Sequence, residues 1–104
     1  MSIFEISQLH GGTGLKLSGE LDMAAAPRLN EALFLDVAQA GELRLDLSEL
    51  TFLDSSGMNA ILAHARSRNG DGRLVLVNPS DSVARVFELV NLDEHPSIEV
   101  QRGG

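Results

Sequence analysis

Between Leu43 and Gly70, in LRLDLSELTFLDSSGMNAILAHARSRNG, the spacing of apolar residues changes from two to between three and four. Leu43, Leu45 and Leu47 alternate with Arg44, Asp46 and Ser48, the period of a strand with one buried face. Met58, Ile61, Leu62 and Ala65 then trace a single stripe of a helix. Arg66 and Arg68 fall in its last turn, favourable against the helix dipole, and Asn69-Gly70 ends it. The junction holds Asp54, Ser55, Ser56 and Gly57, four small or polar residues between Leu53 and Met58. A strand running straight into a helix is the unit from which α/β folds are built.

The flanking sequence extends this unit in both directions. Phe4 and Ile6 alternate with Glu5 and Ser7, His10 to Gly14 is a turn cluster, and Leu15, Leu17 and Leu21 share a face opposite Lys16, Ser18, Glu20 and Asp22. These are two antiparallel strands, with Gly19 marking a bulge or a close backbone approach. Pro27 suits a first helical position, Leu29, Leu33 and Val37 recur at four-residue steps, and Gly41 stops that helix. Arg73 to Asn78 holds the run Leu74 to Val77, apolar without alternation as in buried strands. Pro79 to Ser82 supply a turn and an N-cap for a helix carrying Val83, Val86, Phe87 and Val90. Ser97 to Gln101 is a brief last strand, and residues 102–104 are expected to fray. The order is ββαβαβα(β), an α/β class in one domain over residues 1–104, its later strands parallel and joined by right-handed crossovers.

Composition narrows the partners. The net charge is −7 and Lys16 is the sole lysine, so the basic footprint of a nucleic-acid binder is missing and an anionic membrane surface would repel the chain. No apolar run approaches the length of a membrane span, so no direct membrane insertion is expected. The chain has no cysteine, which removes thiolate metal sites and disulfides and fits a cytoplasmic location. A protein or a small molecule is the expected partner.

Enzyme chemistry finds little support. A serine nucleophile needs a base within hydrogen-bond reach, and the histidines are His10 in a turn, His95 near the end, and His64 on the helix. At about 1.5 Å per helical residue, His64 stands roughly 12 Å from Ser56 along the axis. There is no G-x-S-x-G elbow and no phosphate-cradling glycine loop. Asp22, Asp46 and Asp54 could meet at one sheet edge and hold a divalent cation, but the simpler account has Asp22 capping a turn and Asp46 facing solvent. No catalytic residue, metal or cofactor is therefore expected. For the Asp54–Gly57 junction two accounts stand. Asp and Ser are preferred N-caps, because their oxygens accept from the unpaired N–H groups of the first turn. One cap suffices, however, and a phosphorylated serine there would also face those N–H groups and the positive end of the dipole.

Three blocks, GELD (Gly19 to Asp22), LDLSELTFLDSSGM (Leu45 to Met58) and RVFELVNLD (Arg85 to Asp93), resemble the STAS domain, most closely the bacterial anti-anti-sigma factors, or anti-sigma factor antagonists. The resemblance runs from about Phe4 to Asp93. It implies a mixed β-sheet, with an N-terminal antiparallel strand and then parallel strands, covered by about three helices. It also implies a substrate and switch in place of an enzyme. In this family the serine after the aspartate, Ser55 here, is phosphorylated by a partner that is both anti-sigma factor and serine protein kinase, and that binds the ATP itself; Ser56 is the second choice. The unphosphorylated form binds the anti-sigma factor and releases the sigma factor, and a serine phosphatase resets it, as in stress-response and sporulation partner switching. The implied partner-binding surface is Asp22, Asp54, Ser55, Ser56, Gly57, Met58 and Asn59.

Two departures accompany the resemblance. Asn59 stands where relatives usually carry glycine or another small residue. Many relatives also add a C-terminal helix after the last strand, whereas Gly104 lies twelve residues beyond Leu92, so part of the sheet would be left uncovered or be covered by a homodimer. A second implied function is that of the small STAS subunit that docks on the ATPase of a lipid-transport ABC complex. The intact D-S-S-G block favours the switch over this alternative.

Overall fold

The computed structural model describes residues 3–9, 14–36, 42–67 and 73–102. In chain order the elements are β1 (Phe4–Gln8), β2 (Gly14–Leu21), α1 (Ala26–Asp36), β3 (Leu43–Leu53), α2 (Ser55–Ser67), β4 (Leu74–Val77), α3 (Asp81–Leu89), a 3-10 turn at Leu92–Glu94, and β5 (Ile98–Gln101). The strands form one sheet in the order β1-β2-β3-β4-β5, with β1 antiparallel to β2 and each later pair parallel. This is the expected class, order and strand direction.

The monotonic strand order decides where the helices go. Each crossover from β2 onward steps the same way across the sheet, so three crossovers of the usual right hand place α1, α2 and α3 on one face. That face buries Leu17, Leu45, Leu74, Leu76 and Ile98 against Leu29 and Leu33 of α1, Met58, Ile61 and Ala65 of α2, and Val83 and Phe87 of α3. The opposite face is polar. Its rows set Lys16 beside Asp46, and Arg44 beside Val75 and then Glu99. Val75 on this face is still fully buried, under its long charged neighbours Arg44 and Glu99. Arg44 reaches Glu42 at 3.1 Å and Gln101 at 3.0 Å, Gln101 donates to Glu99, and Arg73 pairs with Glu99 at 2.7 Å.

Several boundaries differ from the sequence expectation. β3 continues five residues past Ser48, because it carries two extra residues relative to β2: Lys16 pairs with Asp46 but Ser18 with Glu49, and Gly19 with Leu50 but Glu20 with Phe52. Each bulge shifts the facing by one residue, so burial passes from Leu43, Leu45 and Leu47 to Leu50 and Leu53 at steps of three. Gly19 sits at this irregularity with φ +92°, and a Cβ there would lie 1.9 Å from the Ile3 carbonyl oxygen, so both the bulge and the close approach are real. α1 begins at Ala26, one residue before Pro27, and Gly14 belongs to β2 rather than to the turn. Val90 is a correction: α3 stops at Leu89, Asn91 turns left-handed at φ 51°, and Val90 is exposed at the cap. Ser97 precedes the last strand, and the 3-10 turn had no counterpart in the periodicity. The expectations placed on His10, Val37, Gly41, Arg68, Asn69-Gly70 and residues 103–104 lie outside the described residues.

Candidate functional site

β2 and β3 are parallel neighbours that end together, with Leu21 opposite Leu53. The residues that follow them, Asp22 and Asp54, therefore leave the sheet side by side at its carboxyl edge. Both are half-buried. The Asp54 amide donates to the Leu21 carbonyl at 3.2 Å, which ties the second block to the first.

Each aspartate shapes its own turn. Asp22 accepts from the Ala25 amide through Oδ1 at 3.0 Å, while its carbonyl accepts from the Ala26 amide at 2.9 Å, bending the chain toward α1. Asp54 is the N-cap of α2: Oδ1 accepts from the Gly57 amide at 3.0 Å and its carbonyl takes the first helical bond from Met58 at 2.9 Å. With the cap supplied by the aspartate, neither serine is needed for it. Ser55 is exposed and Ser56 half-buried, at the first two positions of the helix.

Gly57 explains how closely the helix mouth sits on the sheet. A Cβ at this position would lie 2.6 Å from Leu21 Cγ and 2.8 Å from both the Leu21 carbonyl oxygen and Leu53 Cδ1. Only glycine lets the first turn of α2 press onto the ends of β2 and β3. Met58 is buried in the core as well. Of the seven expected surface positions, Gly57 and Met58 thus support the mouth from beneath and present no side chain outward. Asp22, Asp54 and Ser56 are half-buried, and Ser55 and Asn59 are exposed. Met23, 74% exposed directly after Asp22, adds an apolar side chain that was not among the expected positions. Its signal was an apolar residue falling outside the strand alternation and ahead of the first helical stripe.

The chemistry available is that of an accessible hydroxyl among carboxylates. His64 is buried in α2 among the core residues, and His95 Nδ1 accepts from the Ser97 amide at 3.1 Å. Asp46 accepts from the Ser48 amide at 2.9 Å, the solvent-side role expected of it. Among the described residues no group of three or more His, Cys, Asp or Glu is placed to hold a metal. No described helix is long and apolar enough to cross a membrane.

The chain is similar to known proteins in sequence and in fold. The family model described as "Mlab, STAS domain" matches residues 5–100. The anti-sigma-B factor antagonist of Listeria monocytogenes is 37% identical over 82 residues, covering 75% of this chain and 70% of the relative. Among solved structures, an anti-sigma factor antagonist from Mycobacterium paratuberculosis superposes with a TM-score of 0.78 at 26% identity, covering 95% of this chain and 86% of the other. The anti-sigma factor antagonist SpoIIAA, in its unphosphorylated form, superposes with a TM-score of 0.72 at 25% identity, covering 94% and 87%.

Proposed function

This chain belongs to the STAS domain family and to its anti-sigma factor antagonists, and from that premise we propose that it is a phosphorylation-controlled switch whose control point is Ser55. In the unphosphorylated state the surface formed by Asp22, Met23, Asp54, Ser55 and Asn59 docks on an anti-sigma factor that is also a serine kinase, and the sigma factor is released. The kinase brings the ATP. A phosphatase reverses the modification.

One observation carries the reading: Asp54 supplies the helix cap, so the Ser55 hydroxyl is left exposed and without a structural duty. A transferase can reach it without unfolding the chain. The description of SpoIIAA in an unphosphorylated form supports the same kind of control. Phosphorylation adds about −1.5 to −2 charge next to Asp54. On a docking face that charge has to lose water beside the Asp54 carboxylate, with no cation prepared for it. A penalty of about 3 kcal/mol weakens binding on the order of 100-fold. The fold itself tolerates the anion, since the first turn of α2 offers unpaired N–H groups and the positive dipole end.

The second reading, docking on the ATPase of a lipid-transport ABC complex, is compatible with the same STAS family match but involves no phosphorylation of the exposed Ser55. The deciding experiment incubates the chain with ATP and its anti-sigma kinase and maps phosphate by peptide mass spectrometry. Phosphate on Ser55, with Ser55→Ala binding the kinase constitutively and Ser55→Asp binding it poorly, is the expected result. Kinase binding that is unchanged in both variants removes Ser55 as the switch.

A further inference from the structure

The two edges of the sheet are finished differently. At β1 the Phe4 carbonyl, turned away from β2, is capped by the Arg28 guanidinium at 2.6 Å, with Arg28 lying over the Phe4 ring at 5.5 Å. At β5 no comparable guard stands among the described residues. Leu74 and Asn78 donate to the carbonyls of Ser97 and Gln101, so residues 97, 99 and 101 face β4 and residues 98, 100 and 102 face outward. The Ile98 amide is satisfied by the His95 carbonyl, which leaves the Ile98 carbonyl, both backbone groups of Val100 and the Arg102 amide pointing away from the sheet. The Arg102 side chain is turned back to α3, toward Asp81 at 3.2 Å and Glu88 at 3.8 Å. Beside this edge lies an open groove of about 180 Å³ lined by Ala84, Phe87, Glu88, Val100 and Arg102, so Val100 is only half-covered.

We infer that β5 is the self-association edge of this chain, pairing antiparallel with β5 of a second copy about a two-fold axis at Val100. The occupant follows from the fit of this strand to its own copy, in which an amide donor meets a carboxylate acceptor on either side of the axis. With Val100 on the axis, Glu99 of each copy lies opposite Gln101 of the other, and Ile98 lies opposite Arg102. No like charges face each other, and Gln101 already donates to Glu99 within one copy. The two Val100 residues exchange both of their backbone hydrogen bonds, and each Ile98 carbonyl receives the Arg102 amide of the other copy. A carboxylate facing a carboxylate across this register would oppose the pairing, and the sequence avoids it. In the resulting ten-stranded sheet the two β3 strands are five strand spacings apart, roughly 24 Å. The two-fold turns their carboxyl ends in opposite directions. Both Ser55 sites therefore stay open, and the dimer presents two independent docking faces. This inference does not depend on the switch at Ser55.

Sedimentation velocity on the full chain, from micromolar to millimolar concentration, tests it. The wild-type chain is expected to sediment as a dimer at the upper end. Val100→Pro removes an N–H that points away from β4, a position where an edge strand accepts proline. It should keep the native circular dichroism and weaken the dimer roughly tenfold or more. Gln101→Glu sets two carboxylates opposite each other twice over, and should weaken the dimer at low salt and recover at high salt. It carries the test alone if the proline variant fails to fold. A wild-type chain that stays monomeric throughout, or a dimer untouched by Gln101→Glu, overturns the assignment.

Discussion

The amide of Asp54 is hydrogen-bonded to the carbonyl of Leu21 at 3.2 Å. This bond continues the β2–β3 ladder one residue beyond Leu21 and Leu53 and fixes Asp54 before its side chain caps α2. The GELD and DSSG blocks are distant in sequence yet form one corner, in which each part has a separate duty. Leu21 and Leu53 make the floor, Gly57 allows contact with it, Asp54 starts the helix, and Ser55 is left exposed.

The floor gives the first prediction. Gly57→Ala places a methyl group 2.6 to 2.8 Å from Leu21 and Leu53. Two of the three contacts are to packed side chains of the core and the third is to backbone, so the helix start has to lift. A loss of about 1–3 kcal/mol in urea unfolding is expected, as for overpacking elsewhere. Binding to the proposed kinase partner should weaken as well, because lifting the first turn displaces Ser55. Unaltered stability would show that the mouth is looser than the contacts indicate.

Asp54 can be separated into acceptor and charge. Asp54→Ala removes the cap and should cost about 1 kcal/mol, the usual value for an N-cap. Asp54→Asn keeps an oxygen that accepts from the Gly57 amide and should stay within about 0.5 kcal/mol of wild type. Ser56→Ala, which removes a half-buried hydroxyl with no capping role, should also fall within about 0.5 kcal/mol. Urea midpoints for the three variants check the order. A Ser56→Ala loss as large as that of Asp54→Ala would reassign the cap.

The parts of this fold that were legible in the sequence are those where burial follows a simple period. Leu43, Leu45 and Leu47 identify β3, and Met58, Ile61 and Ala65 identify the buried face of α2, because in both places the backbone repeat equals the spacing of apolar residues. Beyond Ser48 that link fails. The two extra residues of β3 turn a step of two into a step of three, which in isolation reads as neither strand nor helix. Val90 fails for another reason, since the left-handed Asn91 ends the helix and takes the stripe off its face. At the site, Asp54, Ser55 and Ser56 were legible as a helix entrance, but which of the three caps it depended on backbone geometry. The close seat of Gly57 depended on Leu21 of β2, more than thirty positions away.

Arg28 is expected to act at the other edge of the sheet. Its guanidinium binds the outward Phe4 carbonyl at 2.6 Å and covers the ring, so it both holds β1 and occupies a backbone group that would otherwise accept a foreign strand. Arg28→Ala should lower stability by about 1–2 kcal/mol, combining a charge-assisted hydrogen bond with an exposed cation–π contact. It should also raise the rate of thermal aggregation beyond what that loss accounts for, measured by light scattering at equal fractions unfolded. Arg28→Lys keeps the charge but lacks the planar fork, and should fall between the two.

The polar face of the sheet gives a prediction about acid. Gln101 donates to Glu99 and the Arg73 guanidinium lies beside it, so the Glu99 carboxyl is held below its ordinary value of 4.5, against a smaller opposing effect of burial. A carboxyl whose folded value is depressed binds fewer protons in the folded than in the unfolded chain. Its stabilising contribution is therefore complete above the ordinary value and disappears as pH falls through the folded one. Urea midpoints measured downward from neutral pH should show this acid limb for wild type and a shallower one for Glu99→Gln, which has no proton to gain. Gln101→Ala removes the largest cause and should move the limb toward higher pH, and Arg73→Ala should do so by less. Lys16 supplies the opposite sign on the same face: Glu49 at 2.8 Å raises its ammonium above 10.5, so that contribution is complete below the ordinary value and is lost as pH rises through the folded one. Glu49→Gln should flatten the alkaline limb and leave the acid limb of Glu99 in place, because the two pairs lie on different strands and share no partner.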